Sequence, residues 1–268
     1  MAYLAQTCSA PDSPYFTFSG WFRCPTAEIP GGDNCPSLIT IAGVIPGSSD
    51  PRATYILLNA PFIYTDETFT TTMQNTVQAG LCTPDPEGST GEVFFVGRFT
   101  SVSNAVTGET WTHVFVSSDM SASDGDTGTT KISSTKLRNI YVNGINKLFT
   151  QTDEAHYLGA QSFQDTPFNV AFSGLEFGFP AGPGYYVEFQ PKLEYANVQI
   201  WLGTYIDPAY IDKFISEEGG PVDPSIAAAT FGAPTFSFLG GQSTFRMNAG
   251  SGGSVTDVGT ITDFTPGP

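Results

Sequence analysis

Few residues in this chain could do acid–base or nucleophilic chemistry, because it contains only two histidines, His113 and His156. His113 lies within an alternating apolar run, where a structural, hydrogen-bonded imidazole is expected. His156 closes the acidic segment 153–156 and is expected at the surface. The chain has no G-x-S-x-G elbow and no C-x-x-C pair, so the sequence favours neither a catalytic triad nor a zinc or iron centre.

The carboxylates do not form a catalytic pattern either. A retaining glycosidase holds two carboxyl groups ~5–5.5 Å apart, one as nucleophile and one as acid. Here Glu188 and Glu194 are six residues apart with Pro191 between them, and Glu176 stands alone. The sequence therefore predicts a protein that is not an enzyme, with no catalytic residues and no cofactor.

One acidic loop could bind calcium. Asp119, Asp124 and Asp126 lie close together with glycines that permit tight turns, and Ca²⁺ takes six to eight oxygen ligands. The spacing is not that of an EF-hand, because Gly128 occupies the third ligand position of a frame that starts at Asp124. A solvated loop is the favoured interpretation, no metal site is predicted, and the calcium site stays open.

The charge balance excludes two classes of partner. The 268 residues include 26 Asp and Glu against 10 Lys and Arg, which gives a formal net charge of −16. Nucleic acids and anionic membranes are bound through clustered Lys and Arg, so neither is expected as a partner. Residues 1–6 lack a basic, apolar leader pattern, so no secretory signal is expected. Residues 225–245 are interrupted by Pro, Gly and Ser, so no membrane span is expected there.

The four cysteines leave the redox state open. Their spacing is not that of a zinc site, and unbridged thiols are the favoured interpretation. The alternative is one or two bridges formed in an oxidising medium, with Cys24–Cys35 the leading pair because these residues flank a Pro- and Gly-rich loop. The four are Cys8, Cys24, Cys35 and Cys82.

Short strand-like runs separated by turn residues dominate the chain from about residue 15 to 203. In residues 110–118 bulky side chains occupy both faces, which predicts a strand packed on two sides. Asn143-Gly144 predicts a β-hairpin with a two-residue turn. Residues 66–87 are interpreted mainly as loop. One helix is predicted at 208–216, with Asp207 as its N-cap and Gly219 ending it. The predicted strands are 15–22, 37–43, 53–60, 91–102, 110–118, 140–145, 170–179 and 195–202.

The composition changes at residue 220, so we divide the chain into a domain at 1–219 and a C-terminal extension at 220–268. The extension is rich in Gly and Pro and includes the run Ala227-Ala228-Ala229. Short β-like pieces are predicted at 235–239 and 254–262. The extension is expected to pack along its own domain or to reach a neighbouring subunit.

Four segments in the same order resemble the laminin-G-like branch of the concanavalin A-like jelly rolls. They are residues 16–22 (FTFSGWF), 111–116 (WTHVFV), 139–144 (NIYVNG) and 198–201 (VQIW), the last followed by the predicted helix. The resemblance implies an all-β fold, a concanavalin A-like antiparallel jelly-roll sandwich with one short helix and an extended C-terminal tail. The fold hosts lectins, structural modules and glycosidases, so it does not decide the function.

The C-terminal extension is similar to the ending of laminin-G-like proteins among tailed-bacteriophage structural proteins, through Pro234, Phe236, Phe238 and residues 250–253 (GSGG). This resemblance implies a structural protein on the virion surface, as a head decoration, spike or fibre component. It would be made in the host cytoplasm and bind other virion proteins and copies of itself. The alternative is a carbohydrate-binding module in which the aromatic run 177–186, with Tyr185 and Tyr186, stacks on sugars.

Overall fold

The computed structural model describes most of the strands and the region that follows the last long one. The described residues are 3–6, 15–23, 37–44, 51–58, 62–65, 70–73, 76–83, 94–102, 104–119, 138–148, 174–176, 194–239, 249–251 and 256–258. The strands are β1 (Tyr3–Gln6), β2 (Tyr15–Arg23), β3 (Ser37–Val44), β4 (Pro51–Leu58), β5 (Phe62–Thr65), β6 (Thr70–Met73), β7 (Val77–Thr83), β8 (Phe94–Thr100), β9 (Thr112–Asp119), β10 (Arg138–Val142), β11 (Ile145–Asn146), β12 (Gly174–Glu176), β13 (Glu194–Leu202), β14 (Phe236–Phe238) and β15 (Thr256–Val258).

These strands form two large antiparallel sheets. One sheet has seven strands in the order β15-β1-β12-β3-β4-β7-β8, and the other has six in the order β11-β10-β9-β2-β13-β14. The hairpin β5-β6 forms a separate pair. The chain is thus an all-β antiparallel sandwich, as the sequence predicted.

The six-stranded sheet is covered on both faces, because residues 16–22 of β2 and 112–118 of β9 are all buried. Successive side chains of a strand point to opposite faces. One face carries Phe16, Phe18 and Phe22, the apolar side that a sandwich buries between its sheets. The opposite face carries Thr17, Ser19 and Trp21, and two helical segments lie over it. The two-sided packing predicted for residues 110–118 is confirmed.

Two helical segments follow β13, whereas the sequence predicted only one. The 3₁₀-helix Pro208–Lys213 begins as expected, since Asp207 accepts a hydrogen bond from the backbone N–H of Ala209 at 2.8 Å. It ends at Lys213, before the predicted residue 216, because Phe214 leaves the helical region at φ −121° and ψ −32°. Within it, Tyr210 forms a kink at φ −99° and ψ 20°. The second segment, α1 (Pro224–Phe231), has Asp223 as its N-cap and includes the alanine run that we assigned to the Gly- and Pro-rich extension.

One further expectation needs correction. The segment 66–87 is not mainly loop, because β6 and β7 both lie within it. Its Thr-rich run favours strand through β-branching, whereas Pro84 and Pro86 come only after β7 has ended. The predicted pieces at 235–239 and 254–262 do contain β14 and β15, which pair with β13 and β1 of the same chain. The division of the chain at residue 220 stays a prediction.

The Asn-Gly hairpin is confirmed. Asn143 and Gly144 join β10 to β11 with φ values of 50° and 74°, the positive values that a type I′ turn requires. The turn is bonded to the neighbouring strand β9, because Asn143 Oδ1 accepts a 2.8 Å hydrogen bond from the N–H of His113. The N–H of Asn143 also donates to the carbonyl of His113 at 2.9 Å. The hairpin therefore fixes the position of His113 along β9.

Candidate functional site

Buried polar side chains line the helix-bearing face of the six-stranded sheet. Thr17 Oγ1 donates to the carbonyl of Thr204 at 2.9 Å and accepts from the N–H of Ile206 at 3.0 Å. Gln199 Nε2 donates to the carbonyl of Pro224 at 3.1 Å, at the start of α1. These bonds fasten residues 203–235, which we call the helical cover, to the sheet. The buried polar groups on this face are therefore part of the framework.

An aromatic cluster joins the helical cover to the sheet. The Trp201 ring meets that of Phe214 edge-on at 5.9 Å, and Phe214 lies 5.2 Å from the ring of Phe115 in β9. Phe231 of α1 stacks on Phe214 at 6.2 Å. The Nε1–H of Trp201 donates to the carbonyl of Gly232 at 2.9 Å. The cluster stabilises the 3₁₀-helix and α1 together, so neither is a separate appendage.

His113 lies inside this face and is fully buried. Its Nε2 is 2.9 Å from Ser19 Oγ, and its ring lies 5.2 Å from that of Trp21. Its Nδ1 has no hydrogen-bond partner among the residues that the structure describes. Burial lowers the pKa of His113 to about 3, because a charged imidazole would lose its hydration there. This geometry agrees with a structural, neutral imidazole that does not reach solvent.

Glu194, one of the two acids considered as a pair, serves a structural contact. It forms an ion pair with Arg23, which pairs directly across from it in the sheet. The hydrogen bond to Glu194 raises the pKa of Arg23. The Arg23 guanidinium also lies 5.4 Å from the centre of the Trp111 ring, a cation–π contact. Glu194 therefore forms a structural ion pair with Arg23. Its proposed partner Glu188 lies outside the described residues.

The other candidate residues are placed only in part. Glu176 lies in β12 opposite Thr40, Asp119 ends β9 opposite Tyr15, and Cys82 lies in β7 opposite Phe95. In the described ranges no group of three His, Cys, Asp or Glu could hold a metal ion. Nor do those ranges contain a helix that is long and apolar enough to cross a membrane. The candidates outside the described residues are Cys8, Cys24, Cys35, Asp124, Asp126, His156, Tyr185 and Tyr186.

The C-terminal extension supplies an edge strand to each sheet, which makes these edges the candidate interaction site. Among the strands that the structure describes, β14 is the outermost of the six-stranded sheet and β15 is the outermost of the seven-stranded one. Residues 249–251, which we call the strap, lie against β14. The N–H groups of Ala249 and Ser251 donate to the carbonyls of Ser237 and Pro234, both at 2.9 Å. Sequence reasoning missed the strap, and the Gly at position 250 was its only signal.

The outer surface of the helical cover is acidic. Its ionisable side chains include a single cation, Lys213, which pairs with its neighbour Asp212. Two apolar side chains on this surface, Tyr210 and Ile226, are 47% and 44% exposed. The exposed acids are Asp207, Asp212, Glu217, Glu218 and Asp223. Copies of the chain would repel one another across this surface, so the strand edges are better placed for contact between copies.

Comparisons with known proteins yield likenesses of fold. No family model matches the sequence, and no curated protein gives a significant match. A native heptameric SAP-like pentraxin from Limulus polyphemus is 11% identical over 80% of this chain and 75% of its own, with a TM-score of 0.40. A Trypanosoma rangeli sialidase in complex with 2,3-difluorosialic acid is 12% identical over 74% of this chain, with a TM-score of 0.35, and only 22% of its own length is covered. These likenesses carry no argument about ligand or activity.

Proposed function

We propose that this chain is a non-enzymatic structural protein of a bacteriophage virion. It would be displayed on the particle surface, as a head decoration, spike or fibre component, and act in many copies. Its proposed partners are other virion proteins and copies of itself. The similarity of residues 234–253 to the ending of tailed-phage structural proteins supports this setting.

The main support for the proposal is the position of the C-terminal extension in the two sheets. It contributes the outermost strand of both sheets through β14 and β15, and the strap lies against β14. Edge strands present backbone N–H and C=O groups to whatever lies beside them, so they are natural sites for pairing between chains. An extension that forms an edge strand in both sheets is therefore suited to contacts between copies of the chain.

The side chains that could act as a general acid or base also support a structural role. The imidazole of His113 is buried and neutral, and the carboxylate of Glu194 is paired with Arg23. A general acid or base has to reach the proton that it transfers, so the burial of His113 and the pairing of Glu194 support a structural role for these two groups. His113 and Ser19 join β9 to β2, and Glu194 and Arg23 join β13 to β2, so both contacts lie between neighbouring strands of the six-stranded sheet.

The alternative function is carbohydrate binding, for attachment to host or environmental glycans. It is favoured by the run 177–186, which contains four aromatic residues together with Gly, Pro and Ala. Aromatic rings at a turn can lie flat against sugar rings, and Tyr185 and Tyr186 would provide them. The two functions are compatible in one protein.

Mass spectrometry of purified particles of the encoding phage tests the proposal. The chain should be present in many copies per particle after density-gradient purification. Absence from the particles would contradict the virion role. If the chain then bound a glycan array, and if Tyr185→Ala with Tyr186→Ala abolished that binding, the carbohydrate-binding alternative would take its place.

A further inference from the structure

The edge of β14 holds the strap through main-chain atoms. The N–H of Ala249 donates to the carbonyl of Ser237, and both the N–H and the Oγ of Ser251 donate to the carbonyl of Pro234, at 2.9 and 3.3 Å. The strap residues are Ala, Gly and Ser, so no large side chain fixes them to the sheet. Recognition thus depends on the backbone path and on how closely the strap can approach.

Gly250 makes that close approach possible. A Cβ atom at this position would stand 2.5 Å from the carbonyl oxygen of Pro234 and 2.6 Å from that of Thr235. These are backbone atoms of the segment leading into β14, whose strand is bonded to β13, so they cannot move aside easily. The space beside residues 234–237 therefore accepts a segment only where glycine faces Pro234 and Thr235.

The length of the connection between β14 and the strap is sufficient for the strap to reach a neighbouring copy. Residues 240–248 separate Leu239 from Ala249, and nine residues span up to about 30 Å when extended. A strap from a neighbouring copy would make the same bonds and the same close approach at glycine. Exchange of an identical element between copies costs little, because every hydrogen bond that opens within one chain forms again between two chains.

We propose that the edge of β14 is a binding slot for an Ala-Gly-Ser segment, and that in assemblies of this chain it is occupied by the strap of a second copy. The slot itself does not depend on a virion role, and only its use between copies rests on the proposed function. Chains linked in this way would be joined through backbone bonds that leave the acidic surface of the helical cover facing solvent.

Peptide binding to a full-length chain with its own strap expelled tests the slot. In the Gly250→Val variant the strap no longer fits, which leaves the slot open. A fluorescent peptide of residues 246–254 should bind this variant about tenfold more tightly than the same peptide carrying Gly250→Ala. The wild-type chain, whose slot is filled, should bind the native peptide more weakly than the variant does.

Tryptophan emission and circular dichroism are used to test whether the Gly250→Val variant is folded. If it is not, Ser251→Pro replaces it, because proline removes the N–H donated to Pro234. Equal binding of the two peptides, or no binding of the native peptide to a folded variant, would overturn the slot. The Gly250→Ala peptide is the matched control, since it differs by one methyl group.

Light scattering then tests the exchange between copies. Excess native peptide should lower the mass of the assembled wild-type chain, whereas the Gly250→Ala peptide should not. An oligomer whose mass stays constant with the peptide bound would overturn exchange and leave the proposed function standing. A chain that is monomeric throughout would instead contradict the multi-copy function, while the peptide measurement would still decide whether the slot exists.

Discussion

Trp201→Ala is expected to lower the free energy of unfolding by about 3–5 kcal/mol, the cost usual for truncating a buried aromatic ring. The side chain is only 2% exposed and lies between the sheet and the helical cover, in contact with Phe214. Its removal leaves a cavity and also deprives the carbonyl of Gly232 of its donor. Urea unfolding followed by circular dichroism measures the change.

Two matched variants separate the causes. Trp201→Phe keeps an aromatic ring but removes the N–H, so its expected cost is smaller, about 1–3 kcal/mol. Tyr210→Ala truncates a 47% exposed ring on the same helical cover and should change stability by less than about 1 kcal/mol. If Trp201→Ala cost no more than Tyr210→Ala, the helical cover would not be packed on the sheet as described.

The second large effect is a loss of stability in mild acid caused by His113. Burial lowers its pKa from 6.5 to about 3 in the folded protein. Between these values the unfolded chain binds a proton that the folded chain does not, so stability is fully present above pH 6.5 and falls as the pH drops toward 3. This group alone should remove about 2–3 kcal/mol between pH 6.5 and 4.5.

His113→Phe is the test of that cause. It removes the titrating group and keeps a ring beside Trp21, at the cost of the bond to Ser19. We expect lower stability at pH 7 but a flatter dependence on pH from 6.5 to 4.5, measured by urea unfolding at each pH. His156→Gln, which changes the other histidine, serves as the control. An unchanged slope in His113→Phe would assign the acid sensitivity to other groups.

The parts of the fold that follow local rules were predictable from the sequence. In residues 112–118 bulky side chains occupy both faces of the strand, which predicted its two-sided packing. Positions 143 and 144 carry the two residues that a type I′ turn needs. Asp207 before Pro208 indicated the start of the 3₁₀-helix correctly. In each case the signal lies within a few neighbouring residues, so no distant contact had to be known.

The parts that depend on distant contacts were not predictable. In α1 only Ala227 is fully buried, so the helix lacks the apolar stripe that sequence reasoning looks for. Its position follows from Trp201 and Phe214, which receive Phe231. The glycine at position 250 was the only signal of the strap, and its meaning was not predictable because the close approach to Pro234 is seen only in the folded chain.

β13 shows the same limit within one strand. Simple alternation would place Ala196 and Trp201 on opposite faces, five residues apart. The register shifts between Ala196 and Gln199, where Asn197 has a φ of 47°. This bulge brings Ala196 and Trp201 onto the helix-bearing face, opposite Trp21 and Thr17. The aromatic cluster therefore depends on an irregularity that alternation does not encode.

The mass of the full-length chain in solution is the most direct test of multi-copy assembly. Light scattering should be recorded over a range of concentrations at low and high salt, because a net charge of −16 per copy opposes association and salt screens it. We predict a discrete multiple of the 28.6 kDa chain mass, favoured at higher salt. A mass of 28.6 kDa at every concentration and salt would contradict assembly of the chain with copies of itself.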